Sequence, residues 1–284
     1  MTMLGGASIK GRLQQLMQHI LHERGYAIVS TQAPPGEVYR GNPRALGAHL
    51  DTVPRLVELP LAAARSGIAR LRPGEDPYVT ALAACGPDLD PVAARRTIRD
   101  ALRAAVEPLA RRTAAQRLGL EPGAVPALDE RPPWVLWYPW LRQSLAERSA
   151  AVNREVARIN RASGITLDAE RGGTLLGGGE AKFEAEAERL ARVLFSIHEH
   201  GYRRHAGRDG DIIARVLIAR DDAWCWLVSA GYHRLSVLAH LGHESVTVRV
   251  KGLVYECDAP WWPNVRFGEF PLPAAQQVFR NVLE

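Results

Sequence analysis

Residues 231–234, Gly-Tyr-His-Arg, follow the apolar run Ala223-Trp-Cys-Trp-Leu-Val228 and open the segment Leu235-Ser-Val-Leu-Ala-His-Leu-Gly242. This pattern predicts a strand, a glycine turn and a helix. The first backbone N–H groups of such a helix have no intrahelical partners and sit at the positive end of its dipole. Arg234 adds a fork of donors suited to phosphate. Gly231, Tyr232, His233 and Arg234 are therefore candidate phosphate-binding residues, with a purely structural turn as the alternative of equal weight.

Other groups lie upstream in the sequence. Glu199 stands two residues before the expected helix end at Gly201. A carboxylate there would hold Mg²⁺ or act as a general base toward a hydroxyl; a solvated helix-end carboxylate is the plainer reading. Asp209 and Asp211 are weaker candidates for the same role. The polar stretch 202–211 carries Arg203, Arg204 and Arg208, which would serve either as donors over a phosphate tail or as an ordinary surface loop. His198, His200 and His205, with His233, His240 and His243, invite a metal test. Residues two apart diverge on a helix, so His198 and His200 do not converge as zinc ligands, and no metal site is expected.

These groups need elements to hold them. Lys182–His200 reads as a helix ended by Gly201, 211–218 and 224–228 as strands, 231–241 as a helix, and 245–250, extending toward Tyr255, as a third strand. Upstream, helices are expected at 8–24, 53–70, 91–118 and 143–162, with Pro108 ending or kinking the third. A short strand is expected at 26–29 and a loop at 31–45. Gly172-Gly173 and Gly177-Gly178-Gly179 read as a connector, because no Gly-x-x-x-x-Gly-Lys-Ser/Thr pattern is present. Trp134-Val-Leu-Trp-Tyr-Pro-Trp140 reads as a buried strand, or else as a ligand-stacking platform. The tail 258–270 is expected to wrap over the core before a last helix at 273–283; Trp261 and Trp262 would otherwise line a pocket.

With this element order in place, residues 189–250 resemble the ParB/sulfiredoxin-like superfamily. The likeness rests on Leu190-Ala-Arg-Val-Leu-Phe-Ser-Ile-His-Glu-His-Gly201, on the strand pair, and on Gly231-Tyr-His-Arg234 followed by Leu241-Gly242 and Val246-Thr-Val-Arg-Val250. The resemblance implies a nucleotide pocket for ATP, ADP or CTP with Mg²⁺, its phosphates on Gly231, His233 and Arg234. Tyr232 stands where sulfiredoxins carry a catalytic cysteine, so sulfinic-acid reduction is not expected. Tyr232 and His233 replace the Glu and first Arg of the Gly-Glu-Arg-Arg motif of partition proteins, and no helix-turn-helix follows. A second likeness is smaller. Leu46-Gly-Ala-His-Leu-Asp-Thr-Val-Pro54 resembles the His-x-Asp segment of a zinc-peptidase family, which would place zinc on His49. The companion segments of that pattern are missing, and a loop leading into a helix capped at Asp51 or Thr52 is preferred.

Composition bounds the function classes. The chain has 284 residues, 46% of them hydrophobic and 24% charged, as in globular proteins. Its net charge is +5, and only Lys10, Lys182 and Lys251 of the 36 basic residues are lysine. The basic pairs are short, so a nucleic-acid partner is a weak alternative. Cys85, Cys225 and Cys257 form no framework and read as reduced thiols. Met1–Lys10 lacks a signal-peptide pattern, and no apolar run is long enough for a membrane span; a cytoplasmic location is expected. The expected architecture is α+β: an α-rich region over 1–175 and a small α/β ParB/sulfiredoxin-like domain over 180–284. The expected function is nucleotide binding, with phosphoryl transfer to a small hydroxyl compound as its most concrete form. In that form Glu199 is the catalytic residue, and Trp134, Trp137 and Trp140 give acceptor specificity. The alternative class is a non-catalytic switch in which nucleotide occupancy governs an interaction.

Overall fold

The structure, a computed structural model, describes residues 38–40, 55–86, 90–167, 173–204 and 211–284. The helix expected at 8–24, the strand at 26–29, and His49 and Asp51 lie outside these residues. So do His205, Arg208 and Asp209.

Arg55-Leu-Val-Glu-Leu-Pro60 is a strand, and the helix expected over 53–70 is corrected. Pro54 and Pro60 remove two backbone donors, and the side chains alternate. Val57 and Leu59 are fully buried on one face, while Glu58 between them reaches Arg40 and Ser245. That is a period of two. The strands are β1 (Val38–Tyr39), β2 (Arg55–Pro60), β3 (Ala64–Ser66), β4 (Ala69–Arg70), β5 (Ile212–Ile218), β6 (Trp224–Ala230) and β7 (Ser245–Tyr255). They form one mixed sheet in the order β1-β2-β7-β5-β6-β3-β4. β7 pairs antiparallel with β2 and parallel with β5. β6 pairs antiparallel with β5 and parallel with β3.

The helices are α1 (Pro77–Ala83), α2 (Pro91–Ala110), α3 (Ala114–Arg117), α4 (Pro126–Asp129), α5 (Leu145–Ala162), α6 (Glu180–His200), α7 (Tyr232–His240), α8 (Pro263–Arg266) and α9 (Leu272–Leu283). Asp76 and Asp90 cap α1 and α2 just before a proline at the first helical position, where its missing N–H costs nothing. Pro108 lies in the last turn of α2, which ends at Ala110; 114–117 is a separate helix with its own Thr113–Gln116 capping box.

Two apolar layers cover the sheet. Alternation along β6 sends Trp226 and Val228 to one face and Cys225 and Leu227 to the other. The first face packs under α1, α2, α6 and α7 through Leu82, Ile98, Leu190 and Leu235. The second packs under α3, α4 and α9 through Leu118, Leu128 and Phe279. Trp137 belongs to this second core and donates its Nε1–H to the Gln143 carbonyl at 2.8 Å. Trp140 meets Trp262 edge-on at 5.3 Å and Phe279 at 6.0 Å. The segment 134–140 is thus neither a strand nor a platform: it has no ladder partner, and its rings at 137, 138 and 140 are core. Trp262 is buried, while Trp261 is exposed.

The α+β class holds, but a boundary at 175–180 separates neither sheet nor core. β2 and β3, from the first half, hydrogen-bond to β7 and β6, and the 137–140 rings pack on 262–279. Among the described residues no helix is long and apolar enough to cross a membrane.

Candidate anion site at the start of α7

β6 reaches α7 through Gly231, whose φ is +89°. An L-residue is strained there. An added Cβ would also stand 3.0 Å from Ile212 Cγ1, 3.1 Å from Ile212 Cα and 3.3 Å from Arg234 Nη2. No side chain caps α7. Leu235 makes the first backbone bond back to the Gly231 carbonyl, at 3.0 Å. The N–H groups of residues 232–234 therefore stand outside the helical ladder, at the positive end of the dipole.

The chain brings arginines to this end. Ile212 begins β5 against Gly231, which places Asp211 beside the turn. The Asp211 side chain is only 1% exposed. Arg204 Nε lies 3.3 Å from its Oδ1, and Arg249 Nε and Nη2 lie 2.7 and 2.6 Å from Oδ2. Arg249 is delivered by β7, in register with Ile213. Arg204 follows the end of α6 with Tyr202, whose phenol has Arg234, Asp211 and Arg204 as its electrostatic neighbours; burial, opposed by the two arginines, pushes its pKa up. Among the described residues, Tyr202 Oη, Arg204 Nη1 and Asp211 Oδ1 are buried without hydrogen-bond partners. Among the described residues, the guanidiniums of Arg204, Arg234 and Arg249 stand with the Asp211 carboxylate at this helix start.

The other expected site residues are placed differently. His233 turns away into the α6 interface, where its Nε2 meets Glu186 Oε2 at 2.5 Å and its ring lies 4.9 Å from that of Tyr78. Tyr232 folds back and donates its hydroxyl to the Val228 carbonyl at 2.9 Å. Arg203 is exposed. Glu199 is exposed on the α6 face toward the start of α2, in a surface cavity with Pro91, Arg95, Ser196 and His200. Neither Tyr232 nor His233 directs its side chain to the arginine cluster, and Glu199 lines the cavity beside the start of α2.

A second network was missed. Glu186, 3% exposed, accepts from His233, from Tyr78 Oη at 3.1 Å, from Lys182 Nζ at 2.7 Å and from Arg189 Nη1 at 3.0 Å. Burial raises its pKa, but the hydrogen bond and charge of His233 and the charge of Lys182 outweigh this and hold the carboxyl well below its ordinary range. Lys182 also donates to Asn160, which holds the Leu167 and Gly173 carbonyls. The sequence signal was the spacing of Lys182, Glu186 and Arg189, which share one helix face.

Among the described residues no group of three or more His, Cys, Asp or Glu side chains could hold a metal ion. No protein-family model, curated protein or solved structure matches the chain.

Proposed function

We propose that this protein is a ParB/sulfiredoxin-like nucleotide-binding protein that takes the phosphates of ATP, ADP or CTP at the start of α7. One observation carries the reading: Arg204, Arg234 and Arg249 gather with the Asp211 carboxylate beside the uncapped helix start at Gly231. Guanidinium forks and first-turn N–H groups are matched to phosphate oxygens. The partnerless Tyr202 Oη and Arg204 Nη1 are further donors at the same place. Mg²⁺ would arrive with the nucleotide, coordinated chiefly by its phosphates.

The reading stops at binding. The expected base, Glu199, faces α2, and Asp211 is held as the counter-charge of Arg204 and Arg249, with only its Oδ2 hydrogen-bonded. The switch form is favoured over phosphoryl transfer because the three arginines come from the segment after α6, from α7 and from β7. A phosphate held among them would tie those elements together.

The test is a thermal-shift and calorimetry panel of ATP, ADP, CTP and GTP, each with and without Mg²⁺. A nucleotide at 100 times its dissociation constant should stabilise the fold by about 2.7 kcal/mol, and the shift should vanish in Arg234→Gln. No response to any nucleotide, or a response that survives Arg234→Gln, contradicts the proposal. Turnover of nucleotide dependent on a hydroxyl co-substrate would restore the phosphoryl-transfer reading.

A further inference from the structure

Ionised phosphate oxygens only accept hydrogen bonds. They can meet the first-turn N–H groups of α7, and they can meet the buried Tyr202 hydroxyl and Arg204 Nη1. They cannot meet Asp211 Oδ1, because a carboxylate also only accepts. That oxygen belongs to a side chain 1% exposed and has no hydrogen-bond partner among the described residues. Arg204 Nε lies 3.3 Å from it, near enough for charge attraction but not directed into a hydrogen bond. Its twin Oδ2 takes Arg249 Nε and Nη2 at 2.7 and 2.6 Å. A buried acceptor left unmet is costly, and each such group in a folded protein needs a partner of matching chemistry.

A ligand that fills this place must therefore carry a donor close to its phosphates. The carboxylate itself fixes how close. Asp211 immediately precedes Ile212, whose Cα stands 3.1 Å from a Cβ built on Gly231. One of its oxygens already holds Arg249, a phosphate arginine of the α7 site; the unmet oxygen is the other. In a nucleotide the group next to the phosphates is the sugar, and the amino groups of the base lie beyond it. A sugar hydroxyl also matches both kinds of unmet atom, since a hydroxyl donates once and accepts twice. It can donate to Asp211 Oδ1 and accept from Arg204 Nη1, which sits on the guanidinium whose Nε is already 3.3 Å from that oxygen. Carboxylates hold ribose hydroxyls in dinucleotide-binding folds as well.

We propose that Asp211 Oδ1, with Arg204 Nη1 beside it, takes a ribose hydroxyl of the nucleotide bound at α7, so that the site selects ribonucleotides over deoxyribonucleotides. The inference rests on the nucleotide reading of the α7 site and adds the identity of the sugar. Selection follows from burial. A site built to hydrogen-bond a hydroxyl rejects the analogue that lacks it, because its own polar groups are then left unpaired.

The experiment is calorimetry of the full chain with ATP and CTP, their 2′-deoxy and 3′-deoxy forms, and inorganic triphosphate, all with Mg²⁺. Triphosphate is expected to bind, and the ribonucleotide to bind more tightly. At least one deoxy form should bind about tenfold or more weakly than its ribonucleotide. In Asp211→Asn, which keeps the shape and removes the charge, that ratio should fall to about threefold or less, whatever the absolute affinity. Arg204→Lys, which keeps the charge and loses Nη1, should lower it too. The wild-type comparison needs no variant, so it decides even where Asp211→Asn does not fold. Equal affinities of ribonucleotide and both deoxy forms would overturn the inference; a water held on Asp211 Oδ1 in every complex gives that result. A preference that persists undiminished in Asp211→Asn and Arg204→Lys would overturn it as well. Binding of triphosphate with no sugar preference defeats this inference alone and leaves the α7 reading standing. No binding of triphosphate or of any nucleotide defeats the α7 reading, and this inference falls with it.

Discussion

Glu186 gathers donors from Tyr78, Lys182, Arg189 and His233 inside the interface of α1, α6 and α7. Removing its charge leaves those donors facing a neutral acceptor in a buried place, so Glu186→Gln should cost about 3 kcal/mol, read by urea denaturation. The sign of its pH effect follows from its lowered pKa. The unfolded carboxyl, near 4.5, binds a proton before the folded one does. The contribution is therefore full above pH 4.5 and lost as the pH falls below it. Wild type should lose stability below that point more steeply than Glu186→Gln; parallel pH profiles would contradict this. Gly231→Ala combines a strained φ with Ile212 Cα only 3.1 Å from the new methyl group. It should cost about 2 kcal/mol and weaken nucleotide binding, because Arg234 would also have to move. Gly231 and Arg234 were legible because a strand–glycine–helix pattern has few meanings. Glu186, Lys182 and Arg249 were not, because an i,i+4 pair on a polar helix and an arginine on a strand look like solvated surface until the sheet register is known.

At the scale of elements, the segment 55–70 shows why local pattern misled. Leu, Ala and Arg favour helix, yet two prolines and a period-two alternation were also present, and pairing with β7 decided between them. The consequence can be measured. Val57 is fully buried at the centre of β2, so Val57→Asn should destabilise by about 3 kcal/mol, through lost apolar burial and an amide without partners. A change within about 0.5 kcal/mol, as at an exposed position, would contradict the strand. By contrast α6, α7, β5, β6, β7 and α9 were readable almost to their ends, because their apolar period is clear and glycines 201 and 242 stop α6 and α7. The aromatics of 134–140 declared burial but not geometry. Irregular chain packed by Trp137 and Trp140 carries no periodic signal.

At the scale of the whole molecule, the two halves share one sheet. β7 has β2 on one side and β5 on the other; β6 lies between β5 and β3. A fragment of residues 180–284 would expose the β7 edge and half of the β6 ladder, together with the apolar faces that α1, α2 and α3 cover. That fragment should fail to fold cooperatively, seen as poor amide dispersion and no thermal transition, whereas a stable folded fragment would restore the two-domain division. This division was out of reach of sequence reasoning because strand partners nearly 190 residues apart leave no local trace. The shared sheet also carries the functional proposal, since β5 and β7 bring Asp211 and Arg249 to the helix start that holds Arg234. The most direct measurement is the calorimetric affinity of the best-responding nucleotide for wild type and for Arg234→Gln, both shown folded by their thermal transitions. Loss of one charge-assisted phosphate contact is worth about 1.5–3 kcal/mol, so the account predicts a roughly 10- to 100-fold weaker Kd in the variant. Equal affinities in the two proteins would contradict a phosphate site at the start of α7.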